Sequence, residues 1–160
     1  MKVRQKRLNQ KGVAAIEFAV VLPMLVLLGV GIAEFGIMVY NKHILANASR
    51  EGARAGIIQR TDSVGNPIYT EDGIKNLITD IVLEYCGYNE DTNKCERLMT
   101  FGSDNLPTVE VEGANGNFQA DLSVKITYQH AFLVPSLFGL GTQKPISALT
   151  VMKMERILGG

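Results

Sequence analysis

Residues 12–40 read GVAAIEFAVVLPMLVLLGVGIAEFGIMVY, an almost wholly apolar stretch whose only charged side chains are Glu17 and Glu34. A helix of this length would extend about 43 Å, more than the roughly 30 Å hydrocarbon core of a bilayer. The stretch therefore predicts one transmembrane helix that continues beyond the membrane as an amphipathic stalk, to about residue 60.

The residues before this stretch carry positive charge and no acid. Basic residues at one end of a transmembrane helix favour the cytoplasmic side, so the C-terminal part of the chain should be exported. The prediction is a single-pass protein of the cell (inner) membrane with a cytoplasmic N-terminus and an exported head. The basic side chains that support this orientation are Lys2, Arg4, Lys6, Arg7 and Lys11.

The composition excludes several classes of protein. The chain has 160 residues, 16 basic and 16 acidic side chains, two cysteines and two histidines. This length suits one domain, and the balanced charge gives no reason to expect a nucleic-acid partner. A zinc finger, a disulfide-dense scaffold, collagen and a wholly disordered chain are excluded. We expect no cofactor and no metal site.

Two fates of the N-terminal segment follow from general export signals. A secretory signal peptide would be removed at the small-residue site Ala46-Asn47-Ala48, although the apolar run before it is longer than such a peptide requires. An uncleaved anchor fits the length but leaves Glu17 unexplained. A carboxylate near the bilayer centre costs about 2.5–3.5 kcal/mol, and less toward the headgroups.

A third fate follows from a resemblance. Lys11-Gly12 followed by VAAIEF resembles the type IV prepilin processing site, where a membrane aspartyl peptidase cuts after the glycine and a glutamate is the fifth mature residue. The resemblance implies cleavage after Gly12, with Val13 as the new N-terminus and Glu17 as its fifth residue. The freed α-amine of one subunit would then pair with Glu17 of its neighbour, so that two charges compensate each other in lipid.

A longer pattern is similar to the TadE-like family, the minor pseudopilins of tight-adherence (Flp) pilus systems. The matching segments are GVAAIEFAVVLP at 12–23, GIAEFG at 31–36 and ASREGARA at 48–55. The resemblance implies a non-enzymatic pilus or secretion subunit in which Glu17 and Phe18 act in assembly. It also implies as partners a prepilin peptidase, other pilins or pseudopilins, a membrane assembly platform and membrane lipid. A TadF-like role, and retention in the membrane rather than entry into the fibre, are open alternatives.

Small residues recur four positions apart at two places along the helix. Gly29 and Ala33 form one set, and Ala48, Gly52 and Gly56 form the other, so each set lies on one helical face. Such a face lets another backbone approach closely. For the second set, packing on the protein's own sheet is as good an interpretation as a contact between subunits.

The residues after the stalk predict a small head. Residues 61–70 form the expected linker, with a turn at Gly65-Asn66-Pro67. Thr70 is the expected N-cap of a second helix, and an apolar stripe recurs along that helix at i, i+3 and i+4. The members of this stripe are Ile74, Leu77, Ile78, Ile81, Val82 and Tyr85.

The strand pattern is clear in the second half of the head. Residues 118–129 alternate apolar and polar side chains, as a half-buried antiparallel strand does. Residues 109–112 alternate as well, and Asn115-Gly116 is a turn signal between the two segments, so they predict a hairpin. We expect a last strand over 146–154. The stripe of the second helix is expected to cover the apolar face of this sheet.

The predicted fold class is α+β. It comprises a long N-terminal transmembrane helix and stalk followed by a small head, in which one helix packs on an antiparallel sheet of about three or four strands. The predicted segments are a cleaved basic leader (1–12), the helix and stalk (13–60) and the exported head (61–160).

Cys86 and Cys95 flank a short polar segment that is predicted to be a loop. Disulfides persist in exported proteins, so we expect a Cys86–Cys95 disulfide, with two free thiols as the alternative. The sequence contains no H-E-x-x-H, no G-x-S-x-G, no Walker A motif and no complete G-x-G-x-x-G. A non-enzymatic pseudopilin is therefore the predicted function, and the alternative is a single-span membrane-anchored enzyme or ligand-binding module with an exported domain.

Overall fold

The computed structural model describes residues 10–60, 70–100, 106–114, 120–134 and 143–157. Most of the basic leader, the linker turn at 65–67 and the hairpin turn at 115–116 lie outside these residues. In chain order the elements are α1 (Gln10–Ile57), β1 (Ile58–Arg60), α2 (Glu71–Cys86), β2 (Tyr88–Asn89), β3 (Lys94–Cys95), β4 (Thr108–Glu112), β5 (Asp121–Ala131), β6 (Gln143–Lys153) and β7 (Glu155–Ile157).

α1 is one continuous helix with two different environments. Residues 12–29 are all exposed. Beyond Glu34, one side of the helix enters the core of the head, and the segment predicted to be a stalk is largely part of that core. The fully buried α1 residues there are Asn41, Leu45, Ala48, Ser49 and Ala53.

A three-stranded antiparallel sheet of order β4-β5-β6 forms the other half of the core. Val111 pairs with Val124, and Ile126 pairs with Ala148. The inward positions of β5 are buried and the outward ones are exposed or half-buried, as the alternation predicts. The predicted hairpin strands, the last strand and the α+β fold class are confirmed, although β6 already begins at Gln143.

The helix that covers the sheet is mainly α1, which packs on β5 and β6, whereas α2 packs mainly on α1 and meets the sheet chiefly at the edge strand β4. The sequence analysis expected α2 to cover the sheet. Two glycines of α1 explain why α1 can pack closely against both α2 and the sheet. A Cβ placed on Gly52 would lie 3.1 Å from Ile78 Cγ2. A Cβ on Gly56 would lie 2.6 Å from Ile78 Cδ1 and 2.8 Å from Leu122 Cδ2. Because neither glycine carries a side chain, α2 and β5 both approach the α1 backbone closely.

α2 begins where the sequence indicates, and a glycine ends it. The Thr70 hydroxyl accepts a hydrogen bond from the Gly73 amide at 3.2 Å, which is the predicted N-cap. Gly87 follows the last turn with a φ of 70°, a left-handed conformation that glycine adopts without steric cost. The buried α2 side chains are Ile74, Ile78, Val82 and Cys86.

A short parallel pair joins the end of α1 to the end of the chain, and the sequence did not predict it. β1 pairs with β7, with Ile58 opposite Glu155. As a result, α1 ends at Ile57 rather than near residue 60. The last strand is also interrupted at Met154, whose amide donates to the Ala120 carbonyl at 2.9 Å.

Candidate assembly helix and its junction with the head

The residues predicted to act in processing and assembly lie on the uncovered part of α1. Val13 and Phe18 are each 61% exposed, and Gly12 and Glu17 are exposed as well. Val13 and Glu17 are four residues apart and therefore lie on the same face of the helix. Within the described parts of the chain, no element of the head packs on this face, so any partner must come from outside the subunit.

The uncovered part of α1 is strongly apolar. One helix among the described residues, Gly12–Ile57, is long and apolar enough to cross a membrane, and its most apolar stretch is not buried against the head. This helix is compatible with a single-pass membrane anchor. Its exposed large side chains include Val20, Met24, Leu28 and Ile32.

The two sets of small residues have different surroundings. A Cβ placed on Gly29 would meet nothing within 4 Å, and Ala33 is exposed. In contrast, Ala48, Gly52 and Gly56 are buried inside the subunit, and the two glycines lie against α2. The first set is therefore available to a helix of another subunit, whereas the second packs within the chain.

Glu34 lies where the exposed part of α1 ends. It is only 5% exposed, and its carboxylate accepts hydrogen bonds from the backbone amides of Leu133 and Val134, the latter at 2.9 Å. Such charge-assisted bonds stabilise a carboxylate that has left water. From the sequence alone, Glu34 is compatible either with a position at the outer membrane edge or with a second buried pairing site. In the structure its hydrogen-bond partners belong to its own chain.

A buried polar pair lies near this junction. The Asn41 side chain bonds both backbone groups of Met99, accepting from its amide at 2.9 Å, and its Nδ2 lies 3.1 Å from Nδ1 of His130. An Asn41 amide that donates to Nδ1 places the His130 proton on Nε2. Nε2 is buried and has no hydrogen-bond partner among the described residues. Burial lowers the pKa of His130, and the Glu34 carboxylate opposes that shift.

Sequence reasoning missed this pair. Asn41 and His130 are single polar residues in otherwise apolar surroundings, and 89 positions separate them. Only the packing of α1 on β5 brings them together. The one local signal is an asparagine on the helix face that also carries Leu45 and Ala48.

Cys86 and Cys95 form a disulfide with Cα atoms 5.1 Å apart. It ties the end of α2 to β3, in a region where the sequence indicated only a loop. The structure has a small hairpin there, with Tyr88 opposite Cys95. No group of three or more potential metal ligands occurs in the part of the chain that is described.

The family comparison bears directly on the exposed helix. Residues 12–54 match the TadE-like protein family. This confirms the resemblance over the uncovered part of α1, the Glu34 junction and most of the core part. The TadE-like family is a structural, pilus-associated family, and the matched segment of this chain is most of its N-terminal helix. No curated protein and no solved structure matches the chain.

Proposed function

We propose that this TadE-like chain is a processed minor pseudopilin of a Tad/Flp-type pilus or secretion assembly. A prepilin peptidase cuts between Gly12 and Val13, and the new N-terminus remains in the inner membrane until α1 joins neighbouring pilins on the membrane assembly platform. The observation that carries the proposal is the TadE-like match over a helix whose apolar N-terminal half is uncovered.

Glu17 has the central role in this assembly. A lone carboxylate inside the bilayer is costly, and a second charge that compensates it removes much of that cost. Cleavage would create that charge at Val13, on the face that carries Glu17. When subunits stack, the amine of one pairs with the carboxylate of the next. Phe18, exposed beside Glu17, supplies apolar contact to the same neighbour.

Two further features support an exported assembly subunit. Gly29 and Ala33 are open, so a neighbouring helix can approach the backbone there. The Cys86–Cys95 disulfide fits an exported head, because such bonds persist outside the cytoplasm. In this orientation the N-terminus starts in the cytoplasm and the head is exported.

The test is a matched pair of glutamate substitutions on the same helix. Glu17→Ala should leave membrane insertion, processing and export intact but lower the number of assembled pili about tenfold, the factor that corresponds to about 1.4 kcal/mol. Glu51→Ala removes an exposed carboxylate outside the membrane segment and should leave pili at the wild-type level. Pili would be counted by electron microscopy and quantified in sheared fractions. Wild-type piliation with Glu17→Ala would remove the role given to this residue.

A further inference from the structure

The start of the β5–β6 connection lies beside the junction of α1 and the head. We propose that this junction loop, residues 132–134, is a second membrane contact, which rests in the lipid interface next to α1 and seats the head on the bilayer surface. The inference depends on the transmembrane placement of α1 given above. It adds an interaction surface on the head and commits to lipid as its partner.

The depth of the junction loop follows from Glu34. The helix from residue 13 to residue 33 is about 31 Å long, which matches the roughly 30 Å hydrocarbon core. Glu34 is the next residue, so it lies at the outer edge of that core. Because its carboxylate accepts hydrogen bonds from the amides of Leu133 and Val134, the backbone of the loop is held at the same level.

The chemistry of the segment fits lipid. The three residues of the junction loop, Phe132, Leu133 and Val134, are apolar and lie within a run without Asp, Glu, Lys or Arg over residues 126–143, the first six of which belong to β5. Leu133 is 40% exposed, and Phe35, one residue beyond Glu34, is 63% exposed. Apolar and aromatic side chains at this level are typical of membrane-interface positions. The closest charged residues along the chain are Lys125 and Lys144, on either side of the run.

Two backbone amides of the junction loop also have the hydrogen-bond acceptor that they would need in a region without water. Amides that enter an apolar region need acceptors, because water is not available there. Glu34 supplies an acceptor for two successive amides. From inside the head, His130 packs edge-on against Phe132 with ring centroids 4.8 Å apart, which fixes the loop on its other side.

The protein has no tryptophan, so a single introduced indole is a unique probe. The full chain would be reconstituted in phosphatidylcholine vesicles that carry bromine at a shallow or a deep position of the acyl chains. Leu133→Trp tests the junction loop. Leu27→Trp, in the uncovered part of α1, reports whether the helix spans the bilayer. Leu149→Trp lies on the exposed outer face of β6 and serves as the matched control on the head.

We expect Leu27→Trp to be quenched by the deep label and Leu133→Trp by the shallow label, with no quenching of Leu149→Trp. If Leu133→Trp is unquenched while Leu27→Trp is quenched, the inference is overturned and the transmembrane helix stands. If Leu149→Trp is quenched as strongly as Leu133→Trp, the head adsorbs to the bilayer without a specific contact through the junction loop, and this result also overturns the inference. If Leu27→Trp itself is unquenched, both the inference and the proposed anchor fail.

Discussion

The two halves of α1 share one helix but have opposite surroundings. Leu28 is 62% exposed and Leu45 is fully buried. A Cβ on Gly29 would meet nothing within 4 Å, whereas a Cβ on Gly56 would collide with Ile78. Apolar composition alone therefore does not reveal whether a residue packs inside its own subunit or is left for an external partner.

The transition between the halves takes place within a continuous helix. Glu34 is the first buried α1 residue after the exposed segment, and Asn41 is the next fully buried one. The helix does not break there, so the exposed N-terminal half is joined to the core of the head without an intervening loop. The comparison of the halves can be tested by paired substitutions.

The largest contrast is expected for two leucines. Leu45→Ala should lower the free energy of unfolding of the head by about 2–5 kcal/mol, because it leaves a cavity between α1 and its neighbours. Leu28→Ala should leave that free energy nearly unchanged, since its side chain packs on nothing in the described parts of the head. Urea unfolding of the detergent-solubilised protein, followed by circular dichroism, measures both. Equal losses would contradict the division of α1.

The next largest contrast in stability is expected between substitutions of two glycines, one in each half of α1. Gly56→Val inserts a branched side chain where Ile78 and Leu122 leave no room, and should cost about 1–3 kcal/mol of stability. Gly29→Val meets open space within the subunit and should not destabilise the head. The roles should reverse in assembly: Gly29→Val should reduce piliation if a neighbouring helix packs there. A stable Gly56→Val protein would show that α2 and β5 do not approach α1 as described.

The smallest effect is expected for the pH dependence of stability, through His130 near the junction of α1 and the head. Burial lowers the pKa of His130 in the folded protein, whereas the pKa of a histidine in the unfolded chain is about 6.5. The unfolded state therefore holds more protons between the two pKa values, and the stability contributed by neutral His130 is lost as the pH falls below about 6.5. The slope is at most about 1.4 kcal/mol per pH unit for one proton.

The measurement is the unfolding midpoint between pH 7.5 and pH 5 for wild type and two variants. His130→Gln should flatten the profile, while His43→Gln, on an exposed position of α1, should retain the wild-type slope. A profile that keeps its slope in His130→Gln would exclude His130 as the titrating group.

Local patterns in the sequence predicted much of the fold. Thr70 as an N-cap indicated the start of α2, and a stripe with helical spacing indicated its buried face. The alternation of residues 118–129 extends over enough positions to identify β5 and its inward side. Each of these signals lies within one element, so it does not depend on the rest of the chain.

Features that depend on distant partners could not be predicted. The spacing of Gly52 and Gly56 indicated a close approach but not which element approaches, and the partner is mainly α2. β1 and β7 are three residues each, too short for a periodic signal. At the site, Gly12 and Glu17 are recognisable in a local motif, whereas the hydrogen bond that the Leu133 amide donates to Glu34 joins positions 99 residues apart.

The most direct test of the account is the intact mass and N-terminal sequence of the protein purified from native membranes. The account predicts a mature chain that begins at Val13, with Glu17 as its fifth residue. A chain that begins at Met1 would leave an uncleaved anchor, and one that begins at Ser49 would lack the whole uncovered half of α1. Either result would contradict assembly through a processed helix.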